Sequence, residues 1–352
     1  MEFLITSLLP LFERERIAKR ALALGIVVDT DGSTYQKRGA LIVIAADGDY
    51  AGLLSGGCLE GDLREHARLV IASGEARTLR YQLLDPDNDL WGLGVGCEGA
   101  MGILLIRVGC ENSWQPLAHF ANCYSSHRAT TVGIVAEGGG ELGPPGSVLL
   151  PDALATLRAK AAGAAGSDFI GWLDSSSHSK LFVLPLMLPP RVLLLGAGPD
   201  TAPVVDFAAR LGWKVTLVDH RLAYAQPGRF PNAERVVLSR PEEIRGAVDF
   251  SHYVAAVVMS HHLPSDLAYL QALADSPIPY VGLLGPAARR ERLLVELGAG
   301  REALQARLRA PVGLALGGRG PESIALAIVA EMHAFLHGSP GGPFSAGRKT
   351  QL

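Results

Sequence analysis

The segment Leu193-Leu194-Leu195-Gly196-Ala197-Gly198-Pro199-Asp200 constrains the fold of this chain more than any other. A buried strand that runs into two glycines one residue apart, and then into a helix-compatible stretch, has few ways to continue. Gly196 suits the tight turn. Gly198 lets the backbone approach a pyrophosphate, which then sits at the positive end of the following helix. Asp219 closes a second apolar run about 20 residues later, where a carboxylate can accept hydrogen bonds from ribose hydroxyls. Together these predict a Rossmann-like nucleotide-binding domain. Three residues depart from the pattern. Thr201 stands where a third glycine is usual, Pro199 withdraws a backbone donor, and Asp200 adds negative charge where phosphate would sit. Arg221 could neutralise a 2′-phosphate, so NAD and NADP both stay open.

The rhythm around this module supports it. From Pro189-Pro190 onward, apolar β-like runs alternate with helical patterns: Val192–Leu195, Ala202–Leu211, Val215–Val218, Val254–Met259, Leu267–Ala274, Tyr280–Leu284, Ala287–Leu297 and Ser323–Phe335. Such alternation predicts a parallel sheet flanked by helices. Before the two prolines the pattern differs. Short β-like runs (25–28, 40–44, 50–54 and 102–106) are separated by Gly/Asp-rich turns, and one secure helix spans 59–72. A further block, about 114–186, adds a strand at 130–135 and an Ala-rich helix near 152–162. The predicted fold class is therefore α/β, with a C-terminal Rossmann-like parallel-sheet domain and an N-terminal α+β domain. The stiff prolines set the border: residues 1–188, then 189–337, then a flexible tail over 338–352.

Composition narrows function mainly by exclusion. At 352 residues the chain is long enough for two cores. A net charge of −3 provides no general drive toward nucleic acid or anionic lipid. The longest apolar stretch, 181–195, is interrupted by Pro185, Pro189, Pro190 and Arg191, so no segment spans a bilayer. The N-terminus lacks the basic start of a signal peptide. Four cysteines in such a chain read as reduced thiols. A soluble, cytoplasmic protein is expected.

Chemistry concentrates in five loops. In the N-terminal half, Ser55-Gly56-Gly57-Cys58-Leu59-Glu60 leads into the secure helix, whose positive end favours anions and a thiolate at Cys58. Gly96-Cys97-Glu98-Gly99 again sets a cysteine among glycines. Gly32-Ser33-Thr34-Tyr35, followed by Arg38-Gly39-Ala40, gathers hydroxyls, a phenol and a cation suited to phosphate and heteroaromatic rings. In the C-terminal half, Ser260-His261-His262 and Asp266 follow a buried strand at the edge where open α/β sheets bind ligands. His261 is a candidate acid or base there, although adjacent histidines diverge too much to share a metal readily. Arg289 and Arg290 leave another strand and could meet phosphate. Cys110 and Cys123 have no such surroundings and read as core or incidental.

Read together, these loops resemble the XdhC/CoxI family. The likeness is strongest at Ser55–Glu60 and in the C-terminal half, including Asp219-His220-Arg221, Pro311-Val312-Gly313-Leu314 and Pro321–Ala327. It is faint between about 110 and 185. Glu98 departs from a position where glycine is common, and Pro199-Asp200 from one where a His-Asp pair is frequent. The resemblance implies an accessory factor rather than a catalyst. Such a factor binds molybdenum cofactor, as molybdopterin or its dinucleotide form, protects it during sulfuration and delivers it to an apo molybdenum hydroxylase of the xanthine dehydrogenase type. Implied partners also include a cysteine desulfurase and a molybdopterin nucleotidyltransferase, and a homodimer is one possible assembly.

On this reading the N-terminal loops hold the molybdenum end. Cys58 is the leading contact for metal or transferred sulfur, with Cys97 as a second candidate. Gly32, Ser33, Thr34, Tyr35, Arg38, Ser55, Gly56, Gly57 and Glu60 form the first part of the cofactor site. Gly196, Gly198, Asp200, Asp219, His261 and Asp266 would hold the nucleotide portion or a separate NAD(P), or the module packs a tight βα turn with no dinucleotide bound. Two other readings stand beside it. One is an NAD(P)-dependent oxidoreductase with His261 as proton donor; the other is a docking scaffold that binds no cofactor.

Overall fold

The computed structural model describes residues 5–55, 57, 59–82, 99–138, 140–160, 170–174, 179–298 and 300–343. Two compact units divide the chain after Leu188.

The first unit contains α1 (Leu9–Ile17), β1 (Leu22–Gly32), β2 (Leu41–Ala45), β3 (Tyr50–Ala51), α2 (Glu60–Ser73), β4 (Arg77–Gln82) and β5 (Gly99–Val108). After these come α3 (Leu117–Ser125), β6 (Thr131–Glu137), β7 (Val148–Leu149), α4 (Pro151–Lys160), β8 (Gly171–Asp174) and β9 (Lys180–Pro185). Strands form an antiparallel sheet in the order β3-β2-β1-β5-β4 and a second one in the order β7-β6-β9-β8.

β1 explains why this half reads as apolar runs rather than as alternation. Leu22, Leu24, Ile26 and Val28 face a core shared with α1, α3 and strands β6 and β9. Ala23 and Val27 face the opposite core, where Leu63, Ala67 and Val70 of α2 pack. A strand covered on both sides loses the polar alternation of a half-exposed one. The helices α1 and α3 do not stand out in the sequence. α1 has Leu11 and Phe12 on its buried side but carries Glu13, Arg14, Glu15 and Arg16 among them, which blurs its apolar stripe.

The second unit contains β10 (Arg191–Leu195), α5 (Thr201–Arg210), β11 (Lys214–Asp219), β12 (Arg235–Leu238), α6 (Ile244–Ala247), β13 (Ala255–Val258) and α7 (Leu263–Ala274). It continues with β14 (Tyr280–Leu283), α8 (Ala287–Glu296), α9 (Gly300–Gln305), β15 (Leu308–Arg309) and α10 (Pro321–Leu336). All its strands are parallel, in the order β12-β11-β10-β13-β14-β15. The order reverses between β10 and β13, so the switch point lies beside the Gly196 turn. Helices cover both faces: α5 and α10 pack over one core, α7 and α8 over the other. The α/β class and the Rossmann-like parallel sheet are as the sequence predicts. β12 and β15 are the additions, the first because Arg235-Val236-Val237-Leu238 is only partly buried. Among the described residues, no helix is long and apolar enough to cross a membrane.

Candidate functional site

Two loop clusters carry the residues singled out from sequence, one in each unit. In the second unit the Gly196 turn lies at the carboxyl edge of the parallel sheet. Gly196 has φ +124°, and a Cβ there would lie 2.5 Å from the Met259 carbonyl oxygen and 2.7 Å from the Ser260 Cα. The first glycine therefore lets the β10 and β13 loops touch. Thr201, fully buried at the third position, donates from Oγ1 to the Gly196 carbonyl at 3.1 Å. A hydroxyl thus ties the first turn of α5 to the strand end, where a glycine would only make room.

Asp219 is buried and accepts four hydrogen bonds from its own chain. Ala197 N–H donates to Oδ2 at 2.8 Å, and Arg221 donates from N–H, Nε and Nη2 at 2.8, 2.9 and 2.7 Å. Burial opposes ionisation of this carboxyl, but the Arg221 and backbone bonds outweigh it and hold its pKa below the usual carboxylate range. The Arg221 guanidinium also stacks on Tyr224, 3.9 Å from the ring centroid. Hence the residue read as a ribose acceptor is engaged by the residue read as a 2′-phosphate contact.

Asp200 and His261 meet across the switch point. His261 Nε2 lies 2.7 Å from Asp200 Oδ2, with His261 largely exposed and held at φ +58°. Their atoms fill the space over Gly198: a Cβ there would lie 2.6 Å from Asp200 Oδ1 and 3.9 Å from His261 Cδ2. Asp266 is placed differently from its neighbours. It is fully buried, accepts from the Ser260 hydroxyl and receives Arg289 through Nε at 3.0 Å and Nη2 at 2.6 Å. Asp266 and Arg289 thus pair internally, and Arg290 pairs with its neighbour Glu291, so the β14–α8 arginines read as phosphate contacts are both engaged. His262 Nδ1 lies 2.9 Å from Ser265 Oγ.

In the first unit the loop entering α2 is organised by a buried carboxylate. Glu60 Oε1 accepts from Leu54 and Ser55 N–H at 3.2 and 2.9 Å, and Oε2 from Ser55 Oγ at 2.6 Å. Ser55 Oγ in turn accepts from Gly57 and Leu59 N–H at 3.3 and 3.1 Å. Burial pushes the Glu60 pKa up, but the Ser55 hydroxyl and backbone donors prevail and lower it. Ser55 and Glu60 thus shape the loop from within. Gly57, at φ +109°, is exposed, and among the described residues no heavy atom lies within 4 Å of its would-be Cβ.

The other N-terminal loops reach the same region. Leu54 and Leu59 share an apolar cluster with Val27 of β1, Ala40 just before β2 and Met101 near the start of β5. Gly32 pairs with Gly99 at the end of the β1–β5 ladder, and a Cβ at Gly99 would lie 2.4 Å from the Asp31 carbonyl oxygen. Ser33 adjoins this closure through its carbonyl, and Thr34 is buried with Oγ1 donating to the Gln36 carbonyl at 2.7 Å. Tyr35 is 55% exposed, which leaves its ring face open. Asp29 faces two guanidinium groups, those of Arg38 and of Arg80, the latter at 3.7 Å. Gly56, Cys58 and Cys97 lie outside the described residues. Arg80 and Asp29 were missed from sequence; the β4–β5 and β1–β5 pairings that join them are long-range.

A groove of about 560 Å³ lies elsewhere in this unit, lined by Leu11, Arg14, Asp49, Tyr50 and Arg64 among others, and none of the sequence-selected residues line it. Cys123 is buried in the core and Cys110 is exposed beside Glu111.

Comparison with known proteins agrees with both halves of this description. Residues 16–82 match the family described as XdhC and CoxI, and residues 192–332 match the XdhC Rossmann domain. The chain is 30% identical over 317 residues to a protein of Bacillus subtilis described as a probable xanthine dehydrogenase subunit, covering 88% of this chain and 91% of that protein. It is 24% identical to the "Molybdenum cofactor insertion chaperone PaoD" of Escherichia coli, covering 87% and 80% respectively. A crystal structure described as a xanthine dehydrogenase from Bacillus halodurans superposes with a TM-score of 0.75 at 26% identity, covering 96% of this chain and 97% of that one. Matching at both ends, in the expected order and over nearly the full length, the chain belongs to the XdhC and CoxI family.

Proposed function

We propose that this protein binds molybdenum cofactor at the loop edge of its first unit, shields it during sulfuration and passes it to an apo hydroxylase of the xanthine dehydrogenase type. The observation that carries the reading is the convergence of the 32–40 loop, the 55–60 loop and the Gly99 end of β5 at one edge. That edge has an internally braced loop, an exposed phenol at Tyr35 and two guanidinium groups against one carboxylate. The chemistry suits the cargo. A pterin offers a flat ring for Tyr35, its phosphate suits Arg38 and Arg80, and a thiolate at Cys58 suits a metal or transferred sulfur. Among the described residues, nothing lies within 4 Å of a Cβ at Gly57, which suits the approach of a bulky group. The molybdenum cofactor insertion chaperone of Escherichia coli, similar over most of the chain, supports the same cargo.

A cysteine desulfurase would supply the sulfur, and a nucleotidyltransferase the dinucleotide form. The test is anaerobic purification from cells that make the cofactor, followed by mass spectrometry for molybdenum and by fluorescence of the oxidised pterin. Both should co-purify in a fixed ratio to protein and fall in Cys58→Ala. Absence of both from the unaltered protein overturns the reading. Full hydroxylase activation by a cofactor-free preparation would favour a docking scaffold.

A further inference from the structure

We infer that the Rossmann unit of this protein does not take a nicotinamide dinucleotide at its glycine turn, because its own side chains occupy the pyrophosphate and ribose positions that such a ligand needs. A dinucleotide site of this fold requires close approach of its pyrophosphate to the second glycine and a carboxylate open to the ribose. Each can be checked against a particular residue.

The first glycine has the same task with or without a ligand: its would-be Cβ meets the Met259 carbonyl oxygen and the Ser260 Cα at 2.5 and 2.7 Å, so it forms the tight turn between two strand ends. The second glycine is roofed. Asp200 Oδ1 lies 2.6 Å from its would-be Cβ and His261 Cδ2 3.9 Å from it, with the two side chains joined at 2.7 Å. A pyrophosphate seated there would meet a carboxylate at van der Waals range, where like charges repel strongly. Pro199 removes one of the amides that would offset this repulsion.

The carboxylate is saturated. A carboxylate offers about four acceptor positions, and Asp219 receives four N–H groups at 2.7–2.9 Å. For a ribose to bind, the Arg221 fork would have to leave a buried carboxylate and its stacking partner Tyr224. The two occupancies involve different residues, so no single side-chain rotation clears the site. This inference is independent of the cofactor reading for the first unit. It does shift any nucleotide portion of that cofactor away from the Gly196 turn.

The experiment uses the full chain. NAD⁺, NADH, NADP⁺ and NADPH are each titrated to millimolar concentration by calorimetry, with reduced-nicotinamide fluorescence as a second signal. No saturable binding is expected, and saturable one-to-one binding of any of the four overturns the inference. Hydrogen exchange provides an independent reading of the same turn. The Ala197 amide should be protected without ligand, exchange about tenfold faster in Asp219→Asn through loss of one charge-assisted bond, and remain unchanged when dinucleotide is added. Added protection across residues 195–200 on addition of NADH or NADPH would also overturn it, even where the heat of binding is too small to detect.

Discussion

The 55–60 loop of the first unit and the 196–200 turn of the second share a plan and differ in what it leaves open. Each puts glycines between a strand and a helix, and each has a buried carboxylate that collects loop amides: Glu60 takes Leu54 and Ser55 N–H, and Asp219 takes Ala197 N–H. At the 196–200 turn the glycines face protein atoms and the carboxylate is also filled by an arginine. In the 55–60 loop Gly57 meets no atom of the described residues within 4 Å of a would-be Cβ, and the carboxylate is filled by the loop itself. A glycine whose missing side chain would strike its own backbone is there for packing. One whose missing side chain would point into the open leaves room for something else.

Exchanging each glycine for alanine tests that distinction most severely. Gly196→Ala drives a Cβ into the Met259 carbonyl at a backbone angle that side chains avoid, and should destabilise the second unit by about 3–5 kcal/mol. Gly57→Ala keeps only the conformational cost, about 1–2 kcal/mol. Urea unfolding of both variants measures the gap, and equal losses would erase the contrast.

Next in size is Asp219→Asn. It turns an acceptor-only group into one whose amide opposes the Arg221 and Ala197 donors in a buried site, at about 2–3 kcal/mol. Thermal unfolding should show a lower transition for the second unit and an unchanged one for the first.

Glu60→Gln should cost the first unit less, about 1–2 kcal/mol, and its effect should depend on pH. The folded Glu60 pKa lies below its ordinary value. Its ionic contribution is therefore complete above the unfolded glutamate pKa of about 4.3 and is lost as pH falls through the lower folded value. The stability gap between wild type and Glu60→Gln should be constant near neutrality and shrink on acidification. A gap that persists unchanged to pH values near 3 would mean that the carboxylate braces the loop without its charge.

The smallest structural effect belongs to Tyr35→Ala. This exposed ring should be worth about 0.5 kcal/mol or less, while pterin co-purifying with the protein should fall severalfold. If Tyr35→Ala retains pterin at the wild-type ratio, the first unit's loop edge does not hold the ring through this residue.

Much of the fold was legible without coordinates because its signals are local. The α2 pattern of Leu63, Ala67 and Val70, the Leu193–Leu195 strand running into Gly196, and the β–α alternation after Pro190 each arise within a few turns of chain. Helices α1 and α3 and the outer strands β12 and β15 were not legible, since their mixed or brief apolar faces make sense only against the elements they pack on. The site divides in the same way. Ser55, Tyr35, Arg38 and Asp200 stand in loops that glycines mark, whereas Glu60 begins α2, Asp219 ends β11 and His261 follows β13. Their partners are separated from them by very different lengths of chain: two residues for Arg221 and Asp219, five for Ser55 and Glu60, and 61 for Asp200 and His261.

By itself, then, the sequence determined that a parallel α/β unit follows Pro190, that glycine turns join strands to helices in both halves, and which side chains those turns carry. Glycine, proline and apolar spacing act on the backbone locally, so their consequences can be read residue by residue. Only the tertiary structure decided what the turns are for. Whether Gly196 faces a ligand or the Met259 carbonyl depends on how closely β13 lies beside β10. Whether Asp219 is open to a ribose or filled depends on where Ala197 and Arg221 direct their N–H groups. Hydrogen-bond saturation and close approach are properties of groups brought together in space, and spacing along the chain does not encode them.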